Sequence, residues 1–210
     1  MKIPFTVEQF LGVFKEYNLT VYPIQVIFNI IALLCVFLIL SNKNSSKFIF
    51  FYLGFLWLWM GIIYHLFFFT AINNAAYVFG VIFIFQGIFF FYYALRQEIK
   101  FKLTSGIRSY TSIALLLYSL IIYPLLGYAW GHGYPDSPTF GLPCPTTIYS
   151  FALLLLINGK IPVKLTAIPL IWSAIGFTAA FSLGIYEDIG LLAAGLVTLL
   201  FLILKEPDRI

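Results

Sequence analysis

The sequence predicts an all-α, polytopic membrane protein with seven transmembrane helices, and two observations lead to this fold class. The 210 residues are 62% hydrophobic and only 10% charged, with a mean hydropathy of +0.99. A water-soluble domain does not tolerate that composition. In addition, ten of the twelve Lys and Arg residues fall into four short clusters at every second loop between long apolar segments, which is typical of membrane topology signals.

Seven apolar segments are candidates for crossing a bilayer, which takes about 20 residues in a helix. The fifth is short. It would span only if it extended into the preceding loop or if its helix started deep in a cavity. The segments are residues 21–40, 48–69, 75–95, 109–130, 144–157, 163–183 and 188–204.

The basic clusters also predict the orientation, because Lys and Arg concentrate in cytoplasmic loops. The amino terminus is then outside and the carboxyl terminus cytoplasmic, with only Lys2 and Lys15 on the outer side. The acidic residues lean the other way: Glu8, Glu16, Asp136, Glu187 and Asp188 are outer, against Glu98, Glu206 and Asp208 inside. The cytoplasmic clusters are Lys43 with Lys47; Arg96, Lys100, Lys102 and Arg108; Lys160 with Lys164; and Lys205 with Arg209.

We interpret residues 1–210 as a single transmembrane domain that contains a weak internal repeat. It predicts a first three-helix unit over 21–95, a linker helix over 109–130 and a second unit over 144–204. Such a 3+1+3 parallel arrangement occurs among secondary transporters. The matching pairs, at a constant offset, are Trp57 with Trp172, Gly61 with Gly176 and Asn73 with Asp188.

The first twenty residues, 1–20, are predicted to form an amphipathic helix at the outer membrane interface and not a span. Two roles are open for this helix: a topology anchor, or a lid over an outward-facing cavity. Its apolar face comprises Phe10, Val13, Phe14 and Tyr17, opposite Glu8, Lys15 and Glu16.

Polar side chains within the apolar segments are the best functional leads, because they cost free energy in lipid. Gln25 and Asn29 share one face of the first span, and Gln86 lies near the middle of the third. These amides either line a binding cavity or make hydrogen bonds between helices. His65 extends a stripe with Trp57, and it is a proton acceptor, a metal ligand or part of a polar network.

The segment 131–147 holds four prolines and three glycines, so most of it is not helical. Irregular backbone at membrane depth has to face protein or water, and a partly re-entrant segment is expected. It places Asp136 and Cys144 on the same predicted outer side as His65 and Asn73. Two His, three carboxylates and one Cys on that side leave a metal or proton site open, although no diagnostic ligand spacing is present.

Several classes of function are disfavoured by the pattern. The basic residues stand beside spans, where topology explains them, so nucleic acid is not an expected partner. Cys35 and Cys144 form no metal-binding or disulfide motif, and the sequence leaves the identity of any cofactor open. His65, Cys144 and Asp136 could be assembled into a nucleophilic triad, but no supporting motif accompanies them. The expected partners are membrane lipids, a small solute or ion, and a second copy of the chain.

The chain resembles an uncharacterised family of bacterial integral membrane proteins, the domain of unknown function numbered 6064. The resemblance covers nearly the whole chain, implies a bacterial inner membrane location, and implies no activity. It rests on Pro4-Phe5-Thr6, Glu8-Gln9-Phe10, Tyr17-Asn18, Pro23 with Gln25, Tyr64-His65, Asn73 with Ala75-Ala76, Phe79-Gly80, Gln86-Gly87, and Gly141 with Pro143-Cys144-Pro145-Thr146.

The function expected from these residues is binding or transport of a small solute or ion through an outward-facing polar cavity. A receptor or structural membrane subunit, which meets a partner through segment 131–147 or the amphipathic helix, is the alternative. A membrane-embedded enzyme is the third hypothesis. The expected substrate-binding residues are Gln25, Asn29, Trp57, His65, Asn73, Gln86, Asp136, Cys144 and Trp172.

Overall fold

The computed structural model describes residues 4–41, 43, 45–96 and 99–204. Over these ranges the chain forms nine α-helices and no β-strand. Lys2, Glu98, Lys205, Glu206, Asp208 and Arg209, which entered the charge argument, lie outside the described residues. The helices are α1 (Val7–Thr20), α2 (Ile24–Leu40), α3 (Ser46–Trp59), α4 (Ala76–Arg96), α5 (Ile107–Leu117), α6 (Tyr123–Ala129), α7 (Pro143–Leu155), α8 (Val163–Ser182) and α9 (Ile189–Ile203).

Two of the long helical segments contain a wider, π-helical stretch. Helix α3 continues through a π-helix at Met60–Phe68 and a 3₁₀ turn at Phe69–Ala71, and a second π-helix, Tyr118–Ile122, joins α5 to α6. Both continuous segments, 46–71 and 107–129, are long and apolar enough to cross a membrane. π-Helical turns often mark functional sites, and the first one lies beside a cavity described below.

Five helical segments in the described part of the chain are long and apolar enough to span a bilayer, or six if α1 and α2 count as one span. The protein is therefore an all-helical membrane protein. The count of seven differs because α7 is only 13 residues long and because α2 meets α1 at a bend of 81°. The seven-span count, the repeat and the orientation stay predictions.

Helix α1 has the amphipathic character that its sequence predicts. The Thr6 hydroxyl accepts a hydrogen bond from the Gln9 backbone N–H, and the Gln9 side chain accepts one from the Thr6 N–H, a complete capping box. Its buried face packs against protein: the Phe10 ring lies 5.9 Å from Phe69, and the Trp59 indole donates to the Tyr17 hydroxyl at 2.7 Å. A location at the membrane interface stays a prediction.

Helix α7 is enclosed by the other helices, with 12 of its 13 residues buried. Its neighbours reach it with polar side chains: Trp57 donates to the Ser150 hydroxyl at 3.0 Å, and Ser112 donates to the Ala152 carbonyl at 2.6 Å. Helix α7 in turn reaches α2, where its Tyr149 hydroxyl donates to the Ala32 carbonyl at 2.9 Å. The helix is the axis of the bundle.

The loops that carry basic residues meet at one end of the bundle, which we call the basic end. Backbone hydrogen bonds of 2.8 Å join Lys102 to Leu156 and Asn158 to Lys100, and the Phe50 ring lies 4.9 Å from Phe101. The opposite end, which we call the cavity end, carries the loops at residues 21–23, 72–75, 130–142 and 183–185. Both cavities described below lie there.

Two pairs of glycines let α3 and α4 approach until their backbones touch. A Cβ atom at Gly54 would stand 3.1 Å from the Gly87 carbonyl oxygen, and one at Gly87 would stand 2.9 Å from the Gly54 carbonyl oxygen. Gly61 and Gly80 repeat the arrangement seven residues away along each helical segment. A Cβ atom at Gly61 would stand 2.8 Å from the Gly80 carbonyl oxygen, and one at Gly80 would stand 3.0 Å from the Gly61 carbonyl oxygen. Small residues are typical of close helix pairs in membranes, and at Gly61 the chain lies directly against α4.

We expect Gly61→Ala to destabilise the fold by about 1–3 kcal/mol, because its methyl group would push α3 and α4 apart. Thermal unfolding of the purified protein in detergent measures this change. Gly12→Ala is the matched control: no atom lies within 4 Å of its added Cβ, so better helix propensity should stabilise α1 by about 0.5–1 kcal/mol. Equal unfolding temperatures for the two variants would contradict the close contact.

Candidate functional site

The loop at the cavity end is held by one buried amide, Asn18 on α1. Its Nδ2 donates to the carbonyls of Pro135 at 2.6 Å and Ser137 at 2.8 Å, and its Oδ1 accepts from the Thr139 hydroxyl at 2.6 Å. The Gln25 side chain donates to the Asn18 backbone carbonyl at 2.7 Å. These contacts fix the loop to the α1–α2 bend and satisfy the carbonyls of Pro135, Ser137 and Asn18.

The first of two cavities, which we call the α1 cavity, has a volume of about 410 Å³. It lies between α1, the segment from Tyr64 to Phe79, the start of α7 and the second half of α8. Seven aromatic side chains line it, and the polar side chains among its lining residues are few. The aromatic residues are Phe5, Phe10, Phe14, Tyr64, Phe69, Phe79 and Trp172.

One buried carboxylate, Asp188, lines the α1 cavity and has only 1% of its surface exposed. Its Oδ1 accepts a hydrogen bond from the Tyr123 hydroxyl at 2.6 Å, and the Cys144 thiol also contacts this carboxylate. Asp188 is placed there by a 3₁₀ turn, Tyr186–Asp188, which leads directly into α9. The neighbouring Glu187 is fully buried as well but lines neither cavity.

The second cavity, which we call the loop cavity, has a volume of about 400 Å³ and is richer in hydroxyl and amide groups. It lies between α2, the Tyr118–Ile122 segment with α6, and the loop that Asn18 holds. The Oε1 atom of Gln25 is buried and has no hydrogen-bond partner. The polar lining residues are Tyr22, Gln25, Asn29, Ser119, Tyr123, Tyr128, Tyr134, Ser137 and Thr139.

The wall between the two cavities is thin. Tyr123 lines the loop cavity while its hydroxyl donates to Asp188, which lines the α1 cavity, and Pro138 lines both. At the start of α7, Cys144 faces the α1 cavity and the next residue, Pro145, faces the loop cavity. The start of α7 therefore separates them.

The structure divides the nine site residues that the sequence predicts among several places. Gln25 and Asn29 line the loop cavity, whereas Asn73, Cys144 and Trp172 line the α1 cavity. The remaining four residues line neither cavity; they are Trp57, His65, Gln86 and Asp136. A single outward-facing cavity lined by all nine residues is not what the helices form.

Trp57 and His65 lie in the buried core. Trp57 is fully buried, and its ring lies 4.6 Å from Phe83. The His65 ring is enclosed by aromatic rings, with centroids at 4.6 Å for Phe83 and 5.3 Å for Trp172, and neither ring nitrogen has a hydrogen-bond partner. His65 thus stands behind the α1 cavity, in contact with Trp172, and does not line it.

Gln86 has a clear structural role. Pro169 stands inside α8, so it cannot donate the helical hydrogen bond to the carbonyl four residues earlier, which is that of Leu165. The Gln86 side chain from α4 donates to this Leu165 carbonyl at 3.1 Å. The Gln86 amide thus supplies the hydrogen-bond donor that Pro169 lacks. Of the two roles considered for this residue, it makes a hydrogen bond between helices and does not line a cavity.

The metal and enzyme hypotheses find no assembled site. Asp136 lies at the surface, where its Oδ1 is 3.8 Å from Lys15 Nζ, and such a pair adds little stability. No three His, Cys, Asp or Glu side chains converge as metal ligands within the described ranges. His65, Cys144 and Asp136 make no hydrogen bond to one another.

Sequence reasoning left three residues out of the site: Asp188, Tyr123 and Asn18. Asp188 had a signal, because two acidic residues stand directly before an apolar segment and one of them matches Asn73 in the repeat. Tyr123 and Asn18 had none, since a tyrosine near a helix end and an amide on an amphipathic helix are both common. Their roles come from contacts across more than 60 residues of sequence.

A family model described as a family of unknown function (DUF6064) matches residues 7–209, as the resemblance implied. The match covers nearly all of the chain. No curated protein and no solved structure matches it.

We expect Gln86→Leu to destabilise the protein by about 1 kcal/mol, because it leaves the Leu165 carbonyl without a donor in an apolar setting. In a Pro169→Ala background the new backbone N–H at 169 reaches the same carbonyl, so Gln86→Leu should cost less than half as much. A double-mutant cycle of unfolding in detergent measures this coupling. Strictly additive effects would show that the two residues act independently.

Proposed function

Because this chain belongs to the DUF6064 family of unknown function, its role has to be inferred from its geometry, and we propose that it binds a small amphipathic solute in the α1 cavity and carries it across the membrane. The observation that carries the proposal is the cavity itself. A concave, mostly apolar pocket with a few convergent polar groups is the usual form of a small-molecule site.

The size of the α1 cavity suits a small molecule, and its aromatic lining supports this choice over the loop cavity, which has nearly the same volume. The volume of the α1 cavity, about 410 Å³, falls within the usual range of ligand pockets, which is about 300–1,000 Å³. Aromatic rings supply large apolar area at a low cost in side-chain entropy. Asp188, Cys144 and Asn73 supply the polar groups that would orient a solute.

The position of α1 supports a role in admitting the solute. Phe10 and Phe14 of this helix form part of the cavity wall, and the helix leaves α2 at a bend of 81°. The first half of the helix contacts the bundle there mostly through rings, such as Phe10 and Phe69 at 5.9 Å. Ring contacts of this kind can slide without leaving a buried polar group unpaired. Hydrogen bonds of Tyr17 and Asn18 hold the last turn of the helix, so it is the first half of α1 that fits the lid alternative.

Breaks in two helices support transport. Tyr64 lies in the π-helix Met60–Phe68, and Trp172 follows Pro169 by three residues in α8. Both aromatic residues line the cavity. Helix breaks of these kinds are the usual places where helices bend, so the halves of both helices at the cavity end are suited to move relative to the halves at the basic end.

Cys144 provides a built-in test of binding, because it lines the α1 cavity while Cys35 is buried in the core. We expect neopentylbenzene, a neutral apolar probe, to slow the reaction of Cys144 with N-ethylmaleimide, measured by peptide mass spectrometry. Ala179→Phe, which adds a ring at the cavity wall, should abolish this protection. Ala174→Phe is the matched control, since Ala174 is exposed on the same helix and does not line the cavity.

Labelling of Cys144 that neither neopentylbenzene nor its cationic analogue benzyltrimethylammonium slows, in a protein that retains its unfolding temperature, would contradict solute binding. Equal loss of protection in Ala174→Phe and Ala179→Phe would show a general effect of the added ring on α8. Cys35 serves as the internal reference in every sample, because its reaction reports unfolding and not access to the cavity.

Transport is tested with permanently charged aromatic probes, because a bilayer passes neutral aromatic compounds unaided. We expect proteoliposomes to take up one of two probes, benzyltrimethylammonium or benzenesulfonate, faster than empty liposomes. Ala179→Phe should lower that uptake about tenfold, and Pro169→Ala should lower it while Cys144 protection persists, since helix movement limits many carriers. Uptake that neither variant changes would contradict transport through this cavity.

A further inference from the structure

Among the described residues, the carboxylate of the α1 cavity has no cationic partner. Asp188 is 1% exposed, and no Lys, Arg or His occurs among the described residues that line the cavity. The ion pair of the cavity end, between Lys15 and Asp136, lies at the surface. A buried carboxylate without a compensating positive charge is strongly unfavourable, and either a bound proton or a cation relieves this cost. A cationic solute can take the place of the proton at Asp188, so the cavity favours positive charge.

The groups packed around the carboxylate of the α1 cavity supply no positive charge. Tyr123 donates one hydrogen bond at 2.6 Å, and the Cys144 thiol contacts the same carboxylate. Tyr64 on the cavity wall lies within its electrostatic range. The adjacent Glu187 is fully buried and is acidic as well. Each of these groups is neutral or acidic, and the imidazole of His132, which acts on Glu187, does not line the cavity.

The aromatic wall has the same electrostatic preference. The faces of Phe, Tyr and Trp rings carry partial negative charge and attract cations within about 6 Å of the ring centroid. Tyr64 and Phe69 are stacked at 5.6 Å along this wall, and Trp172 stands across the cavity on α8. Recognition of quaternary ammonium groups commonly uses several such rings.

We propose that the solute of the α1 cavity is a small amphipathic organic cation, whose ammonium group pairs with Asp188 while its apolar part lies against the aromatic wall. This inference rests on the proposed function, because it names the substrate class of the same cavity. A neutral solute would leave the carboxylate unpaired, and an anion would be repelled by both Asp188 and Glu187.

The test compares two probes of the same shape, benzyltrimethylammonium and neopentylbenzene, which differ in a quaternary nitrogen in place of a quaternary carbon. Each is titrated against the N-ethylmaleimide reaction of Cys144 in the full chain in nanodiscs, with free aqueous concentrations corrected by empty nanodiscs. We expect the free concentration that gives half-maximal protection to be at least about tenfold lower for the cation than for the neutral probe. This difference is equivalent to at least about 1.4 kcal/mol of binding free energy.

Asp188→Asn and Glu187→Gln form the matched pair of variants. Asp188→Asn keeps an oxygen that can accept from Tyr123 but removes the charge, so it should weaken protection by the cation about tenfold and leave the neutral probe nearly unchanged. Glu187 does not line the cavity, so Glu187→Gln, which removes the neighbouring acidic group, should leave the preference of the protein for the cationic probe unchanged. Each rate is normalised to the unprotected rate of the same variant.

The outcomes separate this inference from the proposed function. Protection by neopentylbenzene with equal or weaker protection by benzyltrimethylammonium overturns the cationic substrate and leaves solute binding intact. A preference that survives Asp188→Asn, or one that Glu187→Gln removes equally, also overturns it. Failure of both probes to protect overturns the proposed function itself. If Asp188→Asn does not fold, the ratio of the two probes on the unaltered protein decides alone.

Discussion

The enclosure of α7 by the other helices is the constraint on which the rest of the structure depends. A buried helix has no lipid or water on any face, so the polar groups around it have to be satisfied by protein. The Arg108 side chain donates to the Leu155 carbonyl at 2.7 Å near the last turn, and Ser112 donates to Ala152 one turn earlier. Trp57 reaches Ser150 from the opposite side at 3.0 Å. The helices that pack on α7 are thereby fixed in register.

The short length of α7 explains why the cavities exist and where they lie. At about 1.5 Å per residue it covers well under the thickness of a bilayer, and its contacts with α5 anchor it toward the basic end. The space that a full span would fill at the other end is left to the loop held by Asn18. Two volumes remain beside the first turn of α7, one at Cys144 and one at Pro145.

The sequence predicted the coarse architecture well, because hydropathy and charge report on lipid contact directly. The apolar segments, the amphipathic face of α1 and the shortness of the fifth segment all follow from local composition. The single cavity did not follow, because burial between helices depends on helix rotation about its axis. Gln25 and Gln86 look alike in sequence, yet one lines a cavity and the other replaces a hydrogen bond that Pro169 removes.

His65 illustrates the same limit. In sequence it extends a stripe with Trp57 and Gly61, and a histidine in an apolar segment is a natural functional lead. In the structure Gly61 touches Gly80, which draws α4 against this stripe and turns Phe79 and Phe83 onto the imidazole at 5.7 and 4.6 Å. Sequence spacing alone does not reveal that a neighbouring glycine lets another helix cover the face.

The segregation of charge that predicts the topology also bears on the choice of solute. The cavity end carries Glu8, Glu16, Asp136, Glu187 and Asp188, against Lys15 among its described residues, and Lys15 is engaged with Asp136. Exposed acidic groups raise the local concentration of cations near an entrance, an effect that salt screens over about 8–10 Å. Within the cavity such screening is absent and Asp188 acts at short range. Attraction at the surface and pairing at the buried carboxylate would thus favour the same sign of charge, which agrees with the proposed cationic solute.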